Sequence, residues 1–338
     1  MLKVTAKDVK GVVSMPPTPC KDNGGGWQTT DSVDLDRTNK LVNILIDSGV
    51  SAFAFCGTTG ENAALLFDEK KAFIAGAVQA NKHRIPIFAG ATNLGTKDVI
   101  RQARILRDVG ADGLFLGLPL WQTPTLENSV RYFADVAEAV PDMPILVYSN
   151  SMFFKTDFPV EFWAGLAKTA PTVVTNKIAY GLDHIDQDVK VSGHQIKFVP
   201  GSLSFIEADK KAPGHFNACW STGYAPEPYV AAINAFNNKD TKRLEEIVAD
   251  IHSVPPFTPP GGMATPQGLK GWAGRMESGF AHYNAQVHKW EWKHAGYLDI
   301  GPMRAPYTDL PDDWKKAAET HVKVWMEMRK KYVGVKAG

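Results

Sequence analysis

Eight apolar runs of strand length recur along the chain at a regular interval, and this rhythm restricts the fold more than any other feature. The runs are Gly11–Met15, Ser51–Cys56, Ile85–Ala91, Gly113–Leu118, Ile145–Ser149, Val173–Lys177, Ile196–Pro200 and Phe216–Ser221. They are near-continuous rather than alternating, as expected when both faces of a parallel strand are covered. Helical periodicity fills the gaps. Between Asp36 and Ser48, Leu41, Leu45 and Ile46 form an apolar stripe and Gly49 a stop; further on, Thr96 is read as the cap of a helix whose Val99, Ile100, Ala103 and Leu106 share a face and which Gly110 ends. Eight strand–helix units in about 240 residues predict a (β/α)8 TIM barrel of the α/β class. A doubly wound sheet is the rival architecture.

The barrel is expected over residues 1–250. Pro255-Pro256 and Pro259-Pro260-Gly261-Gly262 then interrupt any helix. A Trp-rich segment (270–297) and a terminal helix, Asp312 to Tyr332, make residues 251–338 a C-terminal helical extension packed on the barrel. The chain has 338 residues, 44% of them hydrophobic, and a formal charge of +1 without any basic tract. That excludes nucleic acid and an anionic membrane surface as partners. The apolar stretches are too short to span a bilayer, and the first residues lack the apolar core of a signal peptide. Cys20, Cys56 and Cys219 are odd in number and far apart, which suits a reducing cytoplasm and gives no disulfide framework.

In such a barrel the active site lies at the carboxyl ends of the strands. Lys177 ends the sixth run and Tyr148 lies at the end of the fifth; Gly57-Thr58-Thr59-Gly60-Glu61 follows the second. An amine, a phenol and a turn rich in amides and hydroxyls would therefore face one cavity. A buried lysine loses its proton more readily, and only the free amine attacks a ketone, so the set suits a 2-oxo acid processed through a Schiff base. Thr58 is the natural hydroxyl partner for Tyr148 as a proton shuttle, and the amide-rich turn suits a carboxylate. Each part alone has a bland explanation: a solvated lysine, a core tyrosine, an ordinary turn. A packing explanation does not, however, require all three at one rim. Trp121, after the fourth run, and Trp220, in the eighth, would wall a site for a flat apolar group. Arg275, Ser278, His282 and Asn284 lie just beyond the Pro/Gly break, where a segment folding over the mouth would present a polar or cationic group. Gly24-Gly25-Gly26 reads as a flexible insertion. No histidine pair has ligand spacing and no Cys-x-x-Cys occurs, so no metal is expected. Ser14 and Ser221 lack a nucleophile-elbow setting, and there is no Gly-x-Gly-x-x-Gly or Walker lysine.

These residues resemble the dihydrodipicolinate synthase/N-acetylneuraminate lyase family of class I aldolases. Gly57–Glu61 matches its Gly-Thr-Thr-Gly-Glu, Tyr148 its strand-five tyrosine and Lys177 its strand-six lysine. The resemblance runs from about residue 10 to 310, including Gly301-Pro302-Met303-Arg304-Ala305-Pro306. It implies Lys177, Tyr148 and Thr58 as catalytic residues. The candidate substrate-binding residues are Thr59, Gly57, Asn150, Trp121, Trp220, Gly201, Arg275, Ser278 and Asn284; the resemblance further implies no cofactor beyond the covalent lysine Schiff base, and a homotetramer. Two departures are informative. After Tyr148 the segment Ser149–Lys155 lacks the Pro and carboxylate-gripping Arg of the synthases, and Ile178 stands where an acidic residue often follows the lysine. Aspartate semialdehyde is therefore a poor second substrate. The longer tail, Trp121, Trp220, Val173–Lys177 and Phe162-Trp163-Ala164 look like the hydratase-aldolases of aromatic hydrocarbon breakdown. Those enzymes add water to a substituted benzylidenepyruvate and cleave it to pyruvate and an aromatic aldehyde. Arg275 tilts the expectation to the o-carboxy substrate over the o-hydroxy one. A pyruvate-dependent aldolase for 2-keto-3-deoxy sugar acids is the alternative enzyme. A non-catalytic 2-oxo acid binder is the alternative from another class, but no DNA-reading helix or basic patch supplies it with an output.

Overall fold

The structure, a computed structural model, describes residues 2–179, 181–258, 279–307 and 309–338. Eight strands, β1 (Gly11–Ser14), β2 (Val50–Phe55), β3 (Ile87–Gly90), β4 (Gly113–Leu116), β5 (Ile145–Ser149), β6 (Val173–Ile178), β7 (Lys197–Val199) and β8 (Ala218–Ser221), run parallel. Their boundaries fall within two residues of the apolar runs. The ladder runs β7-β6-β5-β4-β3-β2-β1-β8. A parallel bridge between Gly201 and Trp220 brings its ends together, with Trp220 N donating to Pro200 O (2.9 Å) and Ser202 N to Trp220 O (3.0 Å). The result is a nearly closed (β/α)8 barrel with C-terminal helices.

The helices are α1 (Leu35–Asp47), α2 (Phe67–Asn81), α3 (Thr96–Asp108), α4 (Leu126–Ala139), α5 (Ser151–Phe154), α6 (Val160–Thr169), α7 (Ile185–Val191), α8 (Ser204–Lys211), α9 (Glu227–Asn237), α10 (Thr241–His252), α11 (Gly279–His294) and α12 (Asp312–Arg329), with a 3₁₀ turn, Lys330–Tyr332, after the last. In α1, Leu41, Val42 and Leu45 are buried and the Asp34 carboxylate accepts from Arg37 N at 2.8 Å. Thr96 is not the cap of α3. It is the first helical residue, and extended Gly95 holds the cap position without a side-chain bond. With its own backbone already helical, Thr96 cannot turn its hydroxyl back onto the next amides as a cap residue does.

Phe53, Phe55, Phe73, Phe88, Phe133 and Phe198 are fully buried in the barrel core, and Trp292, Val322, Trp325, Met328 and Tyr332 from the tail belong to the same cluster. These tail residues pack into the barrel core, while Val287, Leu310 and Trp314 form a second, smaller apolar cluster with Phe257, Tyr283 and Trp290 against it. The three cysteines are buried and unpaired with one another. Among the described residues, no helix is long and apolar enough to cross a membrane, and no group of three His, Cys, Asp or Glu side chains is placed to hold a metal ion.

Candidate active site

Lys177 and Tyr148 are register partners on adjacent parallel strands, β6 and β5. Partners in a parallel ladder point to the same face of the sheet, so the pairing brings amine and phenol together. Lys177 Nζ lies 4.4 Å from the centroid of the Tyr148 ring and 3.9 Å from that of Trp220, which comes from β8. The lysine is 5% exposed. Burial lowers its pKa to about 7, and among the described residues no carboxylate stands beside it to hold the proton. The Trp220 indole is fixed by its Nε1, which donates to Ile178 O at 2.6 Å. Gly201 leaves room for that ring: a Cβ there would meet Trp220 Cζ2 at 2.8 Å.

The Tyr148 hydroxyl accepts from Asn150 Nδ2 at 2.9 Å and lies 3.3 Å from Thr58 Oγ1. Its ring stacks on Phe115 and meets Phe154 edge-on, with centroids 4.9 and 5.4 Å away. A phenol packed on two sides and bonded at its tip is held in one orientation, as a proton relay requires.

The Gly57–Gly60 turn is bracketed by two non-glycine residues in the left-handed region, Cys56 (φ 55°) and Glu61 (φ 56°). That conformation is unusual for residues with a Cβ and marks a backbone held by its surroundings. Gly57 passes under Phe115, whose Cε1 would lie 2.7 Å from an added Cβ. Glu61 N donates to Thr58 O (3.0 Å), and the Thr18 hydroxyl holds Gly60 O (2.8 Å). Thr59 is buried, and its hydroxyl donates to Asn284 Oδ1 of α11 at 3.0 Å.

A cavity of about 190 Å³ opens at this end of the barrel, with Gly57, Thr58, Tyr148, Phe153, Leu120 and Asn284 in its wall. Lys177 does not line this cavity itself; its Nζ lies against the ring of Tyr148, which does, and against that of Trp220. The structure thus gathers Lys177, Tyr148, Thr58, Thr59, Gly57, Asn150, Trp220, Gly201 and Asn284 at one rim. Trp121 is not among them: it is 83% exposed, and Leu120 beside it lines the cavity in its place. The sequence put Trp121 after the fourth strand but carried no signal for the direction in which the loop turns. Arg275 and Ser278 lie outside the described residues, as does the side chain of His282.

The model of the dihydrodipicolinate synthetase family matches residues 9–251. The chain belongs to that family. It is 34% identical over 336 residues to a trans-O-hydroxybenzylidenepyruvate hydratase-aldolase of Pseudomonas aeruginosa, covering 98% of this chain and 96% of the relative. It is 31% identical over 342 residues to the trans-2'-carboxybenzalpyruvate hydratase-aldolase of Nocardioides sp. (strain KP7), covering 99% and 98%. Among solved structures, one described as PhdJ bound to substrate intermediate superposes with a TM-score of 0.87 at 30% identity, covering 98% of this chain and all of that one. The dihydrodipicolinate synthase of Aquifex aeolicus, 22% identical with a TM-score of 0.74, shares the fold.

Within this dihydrodipicolinate synthetase family member, sequence reasoning missed the supports of the site. Phe115 and Phe154 fix Tyr148, and the Glu61 carboxylate, wholly buried, meets Lys289 Nζ at 2.6 Å and Arg304 Nη1 at 2.7 Å. The only hint was an acidic residue closing the glycine-rich turn and a basic one inside Gly301–Pro306. Nothing in the spacing says that positions more than 220 residues apart meet.

Proposed function

We propose that the protein is a class I hydratase-aldolase that converts a substituted trans-benzylidenepyruvate and water to pyruvate and an aromatic aldehyde. The observation that carries this reading is a buried amine with a pKa near neutrality, beside a hydrogen-bonded tyrosine and a strained, amide-rich turn. Full-length similarity to relatives with this activity supports it.

The substrate carboxylate docks on the amides of Thr58 and Thr59 and the hydroxyl of Thr58, while the Thr59 hydroxyl stays on Asn284. Lys177 Nζ attacks the ketone carbon, and loss of water leaves an iminium. The cation draws electrons through the conjugated alkene, so water adds at the carbon bearing the ring and the iminium becomes an enamine. Tyr148 relays the water proton to the enamine carbon, restoring the iminium, while Asn150 holds the phenol. In the second half Tyr148 takes the proton of the new hydroxyl, and the bond between the hydroxyl-bearing carbon and its neighbour breaks. Its electrons pass into the iminium to give the aldehyde and an enamine. Protonation and hydrolysis then free pyruvate and the lysine. One electron sink serves both halves, and the aromatic walls act by positioning the ring.

An o-hydroxy ring is the better reading. The preference for an o-carboxy ring rested on Arg275, which lies outside the described residues. Among those that are described, the cavity is lined by apolar and neutral polar side chains, apart from Glu61, whose carboxylate is turned away onto Lys289 and Arg304. The o-hydroxy relatives are also 34–35% identical, against 31% for the carboxy one. The test is loss of benzylidenepyruvate absorbance with each ring substituent, beside cleavage of 2-keto-3-deoxy sugar acids. Faster turnover of the o-hydroxy compound is expected. Negligible turnover of both aromatic compounds with cleavage of the sugar acids would transfer the assignment to a sugar-acid aldolase. A homotetramer, as the family resemblance implies, is part of the proposal and is checked by sedimentation.

A further inference from the structure

The Glu61 carboxylate has no exposed surface, yet Glu61 closes the turn that supplies Thr58 and Thr59. Both of its ion-pair partners come from the C-terminal tail. Lys289 belongs to α11, and its ammonium also donates to Pro302 O at 2.6 Å. Arg304 spends its remaining donors on Ser32 Oγ (2.7 Å), Thr18 O (3.2 Å) and Pro19 O (2.9 Å), and its backbone amide donates to Glu61 Oε1 at 3.1 Å. Ser32 in turn bonds Glu69, whose other oxygen accepts from Leu66 N at the start of α2. Two carboxylates and two cations are thus buried together, with every long side chain bonded at its tip. The same helix α11 reaches the turn a second time, through Asn284 to Thr59.

Such a network gives little net stability relative to an apolar replacement, because desolvation offsets the attraction, but it fixes geometry tightly. Burial draws Lys289 below its ordinary pKa while Glu61 pulls it back up. The strain makes the need for that geometry concrete. Glu61 sits at φ 56°, a conformation its own side chain disfavours, and the two ion pairs with the amide bond from Arg304 hold it there.

We infer that Glu61 is a positioning residue for 2-oxo acid binding: gripped by Lys289 and Arg304, it holds the Thr58–Thr59 donors at the spacing a carboxylate needs. The tail thereby builds half of the carboxylate site. This rests on the reading of Lys177 and the turn given above, and it assigns the tail a role in substrate affinity beyond covering apolar surface.

The experiment measures borohydride trapping of Lys177 as a function of pyruvate concentration, in the full-length wild type and in variants, with thermal unfolding alongside. Glu61→Gln alone leaves two buried cations facing one carboxylate and can fail to fold. The charge-balanced pair Glu61→Gln with Lys289→Met removes one charge of each sign and keeps the cluster neutral. In that double variant the half-saturating pyruvate concentration is expected to rise toward about 100-fold, the scale on which a misplacement of about 1 Å weakens function. The pH midpoint of trapping stays near that of the wild type, because Lys177 keeps its own surroundings. A folded double variant trapped at the wild-type pyruvate concentration overturns the role of Glu61 and leaves the Schiff-base reading standing. A wild-type protein that is not trapped at all overturns both.

Discussion

Tyr148 and Lys177 face one another across the β5–β6 ladder, with the amine 4.4 Å from the centre of the phenol ring and the phenol oxygen tied to Asn150 and Thr58. The contact separates two tasks. In the proposed mechanism the lysine uses the ring as a dry neighbour, and the chemistry uses the hydroxyl as a proton relay. Tyr148→Phe keeps the first and removes the second. Its kcat is expected to fall about 100-fold to 10,000-fold, the range for loss of a general acid–base group, while pyruvate is still trapped on Lys177. Loss of trapping with loss of turnover would mean that the hydroxyl is needed already for imine formation.

The pH dependence of imine formation follows from the buried amine. With its pKa lowered to about 7 by desolvation, Lys177 is increasingly deprotonated as pH rises from 6 to 8. The trapping rate should climb through about 7 and level off, instead of rising toward the ordinary lysine value of about 10.4. The same shift fixes the sign of a stability effect. Between the folded pKa near 7 and the higher unfolded one, the unfolded chain binds more protons, so stability rises with pH across that window and is lowest at and below its lower edge. Lys177→Met removes the penalty. It is expected to raise the unfolding temperature at pH 7, with a gain that shrinks as pH rises toward 10.

Trp220 shelters the amine, and Gly201 leaves room for Trp220. Gly201→Ala puts a methyl into the indole and is expected to destabilise the fold by about 1–3 kcal/mol, as overpacking does. Trp220→Ala admits water to Lys177, and the midpoint of trapping should move up from about 7 toward the solvated lysine value. An unchanged midpoint in Trp220→Ala would show that burial by the remaining wall suffices.

The barrel and the Lys177–Tyr148 pair were legible because both follow from local pattern. Strands covered on two faces read as unbroken apolar runs, and a (β/α)8 barrel sends every strand end to one rim. Residues placed by loops or by distant chain were less so. Trp121 and Leu120 are neighbours in sequence, yet only Leu120 lines the cavity, because the loop after β4 turns the indole outward. The cap of α3 moved by one residue because Thr96 is already helical. Glu61 could be recognised as part of a motif, but its partners, Lys289 and Arg304, are fixed by how the tail packs, which no local periodicity encodes.

The measurement that tests the central claim most directly is peptide mass analysis after borohydride reduction in the presence of pyruvate. One reduced pyruvate per chain, on Lys177 and absent from Lys177→Met, is the expected result. Full turnover of a benzylidenepyruvate without any adduct on Lys177, or with an adduct on another lysine, would contradict it.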